Sequence, residues 1–429
     1  MTQTPSLGAC EIDSPARVRR FVNDNQRILY DLDQERVSAR VRKEQQLRSF
    51  EEAGPREKIF FDPKQTRAAL VTCGGLCPGL NDVIRSIVHE LHFVYGVTEI
   101  KGIRFGYSGL NPILGWPMID LTPNVVSNIH EDGGTFLGSS RGPQPIDVMV
   151  DTLEKEKINI LFTIGGDGTL NGALEIHKEI KRRGLPISVI GVPKTIDNDI
   201  NLVSRTFGFD TAVSEAVESI RCVHTEAKGA LNGIGIVKLM GRHSGFIATN
   251  AALAQADVNF VLIPEVPFDL EGANGLFNAL EKRLKARHHA VMVVAEGAGQ
   301  EHFGDELGTD ASGNRKLGDI GVLLKKKIAA YFKEKEFGVT IKYIDPSYII
   351  RSVPANPHDC IFCLFLGQHA VHAAMAGKTG ILIGSWNNRY VHLPILPAIK
   401  KRKQVGPSGM LWLSVLESTG QPERMVNHK

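Results

Sequence analysis

The chain has little excess charge of either sign. Its 429 residues contain 50 Lys and Arg against 47 Asp and Glu, which gives a formal net charge of +3. Proteins that hold nucleic acid or an anionic membrane surface electrostatically carry a clear basic excess. The balance therefore argues against both kinds of partner.

Long apolar runs and abundant cysteines are missing as well. No apolar run reaches membrane-spanning length, and residues 1–15 lack the basic-then-apolar pattern of a secretory signal. Among only six cysteines, Cys360 and Cys363 have CxxC spacing, but no second ligand pair accompanies them, so buried reduced thiols are expected there. We expect a cytoplasmic protein.

What the chain does have is glycine placed after apolar runs. There are 43 glycines, more than average usage predicts. From Arg67 onward, β-rich segments ending in glycine alternate with segments of helical period, and a second alternating block begins near Thr211. This alternation favours a doubly wound parallel sheet in each block.

Four regions follow from this pattern. We predict two doubly wound α/β domains with the active site in the cleft between them, preceded by a charged arm with helical pattern through 37–54. The predicted boundaries are 1–66 for the N-terminal arm, 67–210 for the first domain with a return segment near 348–385, 211–347 for the second domain, and 386–429 for a C-terminal extension.

Two segments carry carboxylates directly after apolar runs: 160–173 and 187–200. Parallel strands deliver their carboxyl ends to one crevice, so Asp167, Asp197 and Asp199 are expected on neighbouring strand tips. Glycine amides can approach phosphate oxygens, and carboxylates can hold a divalent metal or accept a proton. We therefore expect Asp167 and Asp197 to converge around one metal ion and one reacting phosphorus.

Within these segments the residue types suit phosphoryl transfer. In GGDGT (165–169), Gly166 and Gly168 leave room for a phosphate chain and Asp167 can meet its magnesium; the alternative is a plain turn with a capping Asp. In KTIDND (194–199), Asp197 is the general-base candidate. Thr195 can bond the phosphate and Lys194 adds positive charge.

Further candidates follow other predicted strands. The arginine fork of Arg242 suits a phosphoryl group, although a surface ion pair is as consistent with the sequence. Glu296 could bind sugar hydroxyls or cap a helix. Tyr348 and Arg351, one helical turn apart, could hold a distal phosphate with Lys342 as a second cation, and Arg141 could reach a nucleotide phosphate. The KKRK run at 400–403 is interpreted as a solvated face.

The first glycine loop, TCGGLCPGLND (72–82), helps to exclude other classes. It follows a predicted strand and opens a helix, so its amides could cradle an anion. No Gly-Lys-Ser/Thr follows, which excludes a Walker A loop, and the spacing is not that of a dinucleotide-binding G-x-G-x-x-G.

Taken together, the chain resembles the ATP-dependent 6-phosphofructokinases. The resemblance runs from about Ala68 to about Tyr390 through GGLCPGLN, GGTFLGSSRG, GGDGT, PKTIDNDI, MGRHSG, PEVPF and YIDPSYIIR, in family order. It implies transfer of the γ-phosphoryl group of Mg-ATP to the 1-hydroxyl of fructose 6-phosphate, with an ATP-binding first domain, a sugar-phosphate-binding second domain and assembly into a homodimer or homotetramer.

The resemblance also implies residue roles. Asp197 would be the base, assisted by Asp199, with Thr195 and Arg242 completing the catalytic set and Asp167 holding Mg2+. The sugar phosphate would meet Thr195, Ile196, Asp197, Met240, Gly241, Arg242, Glu296, Tyr348, Ile349, Ile350 and Arg351. ATP would lie along Gly75, Arg141, Gly142, Gly166, Asp167, Gly168 and Thr169.

The phosphoryl donor depends on two positions. Pyrophosphate-using relatives carry Asp where this chain has Gly168, together with a lysine at the position of Lys194. The mixture of Gly168 and Lys194 resembles the ATP-using branch of plants and protists, and pyrophosphate stays the alternative donor. Lipid and NAD kinases share GGDGT but do not explain KTIDND, MGR and YIIR together. A non-catalytic nucleotide or sugar-phosphate sensor is the alternative outside the enzymes.

Overall fold

A computed structural model describes residues 4–17, 19–304, 308 and 316–427. The strands in these ranges are β1 (Ile12–Asp13), β2 (Arg27–Leu29), β3 (Ser49–Glu52), β4 (Lys58–Ile59), β5 (Arg67–Thr72), β6 (Glu99–Ile103), β7 (Ile119–Asp120), β8 (Ile160–Gly165), β9 (Ser188–Pro193), β10 (Gly233–Leu239), β11 (Phe260–Leu262), β12 (His289–Ala295), β13 (Thr340–Ile344), β14 (Ile381–Trp386) and β15 (Arg389–Pro394).

The α-helices are α1 (Gln34–Arg42), α2 (Leu80–His89), α3 (Ile146–Lys155), α4 (Asp167–Arg183), α5 (Phe209–Lys228), α6 (Phe246–Gln255), α7 (Leu276–Arg287), α8 (Ile320–Glu334), α9 (Ile349–Ser352), α10 (Pro357–Met375), α11 (Ile395–Ile399) and α12 (Met410–Thr419). A π-helical segment, Glu90–Tyr95, continues α2. Across the described ranges, none of the helices is long and apolar enough to span a bilayer.

The described chain divides into two compact units. The first combines residues of 1–195, 200–208 and 353–402, and the second combines 196–199, 209–352 and 403–427. The division differs from the predicted boundaries at the acidic turn 196–199 and after residue 402, both of which belong to the second unit. The arm and residues 386–402 belong to the first unit because their strands join its sheet.

The first unit is built on a nine-stranded sheet in the order β2-β3-β15-β14-β9-β8-β5-β6-β7. The strands from β14 to β6 pair in parallel, whereas β15, β3, β2 and β7 pair antiparallel. Apolar side chains of the central strands and of α3 and α4 form the core. Strands buried on both faces are near-continuous apolar runs, which is why β8 and β9 could be predicted.

The second unit has a smaller sheet, β11-β12-β10-β13, in which every pair is parallel. Its core packs β10 and β12 against α7 and α8, with Phe277 and Leu324 fully buried. The predicted fold class, alternating α/β in both parts of the chain, is confirmed.

The two ends of the chain differ from their predictions. The helical pattern predicted through 37–54 ends at Arg42, and Ser49–Glu52 forms β3 instead. Pairing with β15 and the burial of Phe50 override helical propensity there. The α10 helix begins at Pro357, where the Asn356 side chain caps it. The predicted C-terminal extension, 386–429, contains β15, α11 and α12.

A buried ionic cluster fastens the arm to the first sheet. One carboxylate oxygen of Glu51 accepts hydrogen bonds from Arg56 Nη2 at 2.9 Å and His392 Nδ1 at 3.0 Å, and Lys378 Nζ lies 3.0 Å away. All four residues are buried. Burial alone would raise the pKa of Glu51, but the His392 hydrogen bond and the Lys378 charge outweigh it and hold that pKa well below its ordinary value.

Glu51→Gln should therefore lower the free energy of unfolding by roughly 1–3 kcal/mol, because it leaves the buried Arg56 and Lys378 with only the more exposed Asp24 as a carboxylate partner. The measurement is the urea midpoint, with the exposed Glu57→Gln as control. Equal midpoints for the two variants would show that Glu51 does not hold the arm.

Candidate active site

In the first unit, three parallel strands end at the same edge of the sheet. Thr72 lies opposite Ile164, and Gly165 lies opposite Pro193. The segments that follow β5, β8 and β9 are the first glycine loop, GGDGT and the Lys194–Thr195 pair. The carboxyl ends of parallel strands are where α/β sheets bind ligands, so this edge is a candidate anion site.

Lys194 lies against the first glycine loop. Its ammonium donates to the carbonyl oxygen of Gly75 at 2.7 Å, although the residue is only 6% exposed. Gly74 adopts φ +88°, and a Cβ there would come within 3.4 Å of the ammonium. The positive φ is what favours glycine at position 74, and the ammonium stands beside the backbone of the loop. This arrangement suits an anionic ligand.

GGDGT forms the beginning of α4. Gly166 is its N-cap and Asp167 its first residue, so amides of the first turn are available to an anion. A Cβ at Gly168 would meet nothing within 4 Å, which leaves open space beside the turn. Thr169 is buried, and its carbonyl accepts from the Tyr107 hydroxyl at 2.7 Å.

The segment before Arg141 is tied to the same glycine loop. Gly74 donates to the Ser140 carbonyl at 3.1 Å, and the Ser139 hydroxyl donates to the Gly74 carbonyl at 2.6 Å. Arg141 itself is exposed, and Gly142 has φ +99°. The predicted nucleotide residues of the two loops therefore belong to one connected backbone region.

In the second unit, too, candidate residues follow two parallel strands that end at the same edge of a sheet. Leu239, the last residue of β10, lies opposite Ala295 at the end of β12. Arg242 follows the first strand and Glu296 follows the second. The Arg242 amide donates to Glu296 Oε1 at 3.0 Å, and Arg242 adopts φ 47°. The Glu296 carboxylate thus holds a strained turn, which sets where the Arg242 side chain begins.

The YIIR segment is only partly as expected. The Arg351 guanidinium lies 4.9 Å from the centre of the Tyr348 ring, one helical turn away, and Tyr348 is 75% exposed. Ile349 is exposed, but Ile350 is fully buried, as is most of Ile196. Ile196 and Ile350 can therefore meet a ligand only through their backbone.

Lys342 does not join Tyr348 and Arg351. It lies in the middle of β13, opposite Gly235, and its ammonium pairs with Glu226 at 3.0 Å. The expectation of a second cation was based on closeness in sequence. The strand carries that side chain away from the carboxyl end.

The interpretation of KKRK as a solvated face is wrong for half of the run. Lys400 and Lys401 are exposed, but Arg402 Nε lies 3.2 Å from Asp167 Oδ2 in the first unit. Lys403 Nζ donates to Asn198 Oδ1 at 3.1 Å in the second unit. No local sequence signal distinguishes these residues from their exposed neighbours, because their partners lie more than two hundred positions earlier.

Comparison with known proteins gives one consistent family. The phosphofructokinase family matches residues 67–374. The ATP-dependent 6-phosphofructokinase of Borreliella burgdorferi is 51% identical over 98% of this chain and 97% of its own length. The chloroplastic ATP-dependent 6-phosphofructokinase 5 of Arabidopsis thaliana is 51% identical over 86% of this chain and 69% of its own length.

Among solved structures, the pyrophosphate-dependent phosphofructokinase of Marinobacter aquaeolei superposes with a TM-score of 0.66. It is 18% identical and covers 85% of this chain and 94% of its own. At that identity the likeness concerns the fold alone.

Gly297→Ala tests the Arg242 turn. A Cβ at Gly297 would overlap the carbonyl oxygen of Arg242, so the turn must shift, at a cost of roughly 1–3 kcal/mol. We expect a lower thermal midpoint than for Gly338→Ala, whose Cβ would meet nothing within 4 Å. Matching midpoints would mean that the turn adjusts freely.

Proposed function

The chain belongs to the phosphofructokinase family, and from that premise we propose that it transfers the γ-phosphoryl group of ATP to the 1-hydroxyl of fructose 6-phosphate. The observation that carries the donor assignment is the open space at Gly168, at the start of α4. An Asp there would crowd and repel an α-phosphate.

The first unit is the proposed ATP-binding part. Amides of the Gly75 loop and of Gly166, Gly168 and Thr169 would face the phosphate chain, with Arg141 and Gly142 beside it. Asp167 fits Mg2+ because it is a partly exposed oxygen ligand, and magnesium commonly takes one or two carboxylates together with substrate phosphates. The ion supplies charge neutralisation on the phosphates when it is bound.

The second unit is the proposed sugar-phosphate part. Arg242 and Arg351 offer bidentate donors to the 6-phosphate, and Glu296 accepts from sugar hydroxyls. Met240, Gly241, Tyr348 and Ile349 would line the same ligand, while Ile196 and Ile350 would contribute backbone groups. The convergence of Asp167 and Asp197 on one reacting phosphorus is part of this proposal.

The chemistry assigns the proton to Asp197. As the sugar O1 bonds to the γ-phosphorus, its proton passes to the Asp197 carboxylate, and the bond from the γ-phosphorus to the bridging oxygen breaks to release ADP. Thr195 would hold the moving phosphoryl group by its hydroxyl, and Arg242 would offset developing negative charge.

Lys194 favours pyrophosphate as a second candidate donor. Coupled assays with fructose 6-phosphate and either ATP or pyrophosphate separate the two readily. We expect turnover with ATP, and turnover with pyrophosphate alone would overturn the donor assignment. A homodimer or homotetramer in the cytoplasm completes the proposal, and light scattering gives the assembly size.

Gly168→Asp should reduce kcat/KM for ATP by roughly 10-fold or more, since each 1.4 kcal/mol of repulsion or crowding is tenfold. Gly168→Ala is the matched control, because it adds a methyl group to open space without charge. Retention of full ATP use by the Asp variant would remove Gly168 from the donor site.

Asp197→Asn should cut kcat by about 10²–10⁴ through loss of the general base, with little change in KM. Steady-state kinetics measure both quantities, and Asp147→Asn on the exposed start of α3 is the control. A kcat close to that of the control would exclude Asp197 as the base.

A further inference from the structure

The last lysine of the basic run 400–403 is partly buried. Lys400 and Lys401 are exposed, whereas the Lys403 ammonium donates to Asn198 Oδ1 at 3.1 Å. It also lies 5.2 Å from the centre of the Phe246 ring. Even partial burial of an ammonium costs free energy unless partners compensate, so this placement needs a reason beyond solubility.

The contacts of Lys403 concentrate on the turn that follows Asp197. Its backbone amide donates to the Asp199 carbonyl at 2.7 Å, in addition to the side-chain bond to Asn198. Asn198 has φ 53°, a left-handed conformation that persists only where its surroundings hold it. Lys403 therefore binds Asp199 through its backbone amide and Asn198 through its side-chain ammonium.

Lys403 is itself held firmly. Its carbonyl accepts from the Ser244 hydroxyl at 2.8 Å. Two residues later, the Val405 amide donates to Glu265 Oε1 at 2.8 Å, and the same oxygen accepts from the Gly245 amide at 2.9 Å. The strand-end turn of Arg242 leads directly into Ser244 and Gly245, so Lys403 connects the acidic turn to the segment after Arg242.

We propose that Lys403 is a positioning residue of the phosphoryl transfer, which holds the Asn198 amide and the turn 196–199 so that Asp197 faces the acceptor hydroxyl. The inference rests on the proposed function. It adds a residue outside the motifs 194–199 and 238–245, supplied by the C-terminal segment.

The charge of Lys403 should make this role depend on pH. Burial lowers the pKa of Lys403 to about 8, while the Asp199 charge raises it in part. The other charged or titratable groups around this segment are the neighbouring Arg402, Glu265, and His243, whose carbonyl accepts from Gln404 at 3.1 Å. As pH rises through about 8, Lys403 loses its proton and its hold on the turn weakens.

The test compares Lys403→Met and Lys403→Arg with Lys401→Met, which removes an exposed charge from the same run. We expect Lys403→Met to lower kcat by about 10- to 100-fold through misplacement of the base, with KM for fructose 6-phosphate and ATP changed less than about threefold. Lys403→Arg should restore part of kcat. The kcat of the wild type should fall as pH rises through 8, whereas the kcat of Lys403→Arg should not.

Thermal midpoints distinguish positioning from folding. A partly buried ammonium with a lowered pKa opposes folding below pH 8, so Lys403→Met should melt no lower than Lys401→Met. An equal kcat for these two variants, or a kcat loss accompanied by a lower melting point and no rescue by Arg, would overturn the inference. A wild type inactive with every donor would overturn the proposed function, and the inference with it.

Discussion

The parallel register of β5, β8 and β9 is the constraint on which the first unit's site depends. Thr72 pairs with Ile164, and Gly165 pairs with Pro193. The segments that follow the three strands therefore begin side by side at the carboxyl edge of the sheet. A slip of one residue would turn every side chain of a strand to the opposite face of the sheet. Both faces are buried there, so the hydrophobic core that stabilises the sheet also aligns the glycine loop, GGDGT and Lys194.

Each unit also has a lysine with reduced exposure to water: Lys194 in the first is 6% exposed, and Lys403 in the second is partly buried. The Lys194 ammonium donates a hydrogen bond to a backbone carbonyl, and the Lys403 ammonium donates one to a side-chain amide oxygen. Removing such charges from water costs free energy even where partners offset part of it. A fold optimised for stability alone would place apolar groups at these positions. Their retention is typical of strain kept at functional sites.

The parts of the fold that could be predicted are those with local causes. Apolar runs ending in glycine located β8, β9, β10 and β12, and the carboxylates after them located Asp167 and the acidic turn. The parts that could not be predicted depend on distant partners. Phe50 and Glu51 become strand because β15 lies beside this segment, and Arg402, unlike the exposed Lys401, contacts Asp167. Likewise, helical spacing alone could not show that Ile350 points into the core.

The ambiguity between Gly168 and Lys194 also has a geometric reason. From sequence, the mixture of Gly168 and Lys194 resembles the ATP-using branch, and Lys194 leaves pyrophosphate as the alternative donor. In the structure the Lys194 ammonium is bound to the Gly75 carbonyl, so that it supports the glycine loop that any phosphate donor would use. Gly168 instead borders open space. A side chain at 168 would extend into that space, so in the proposed function residue 168 should weigh more than residue 194 in the choice of donor.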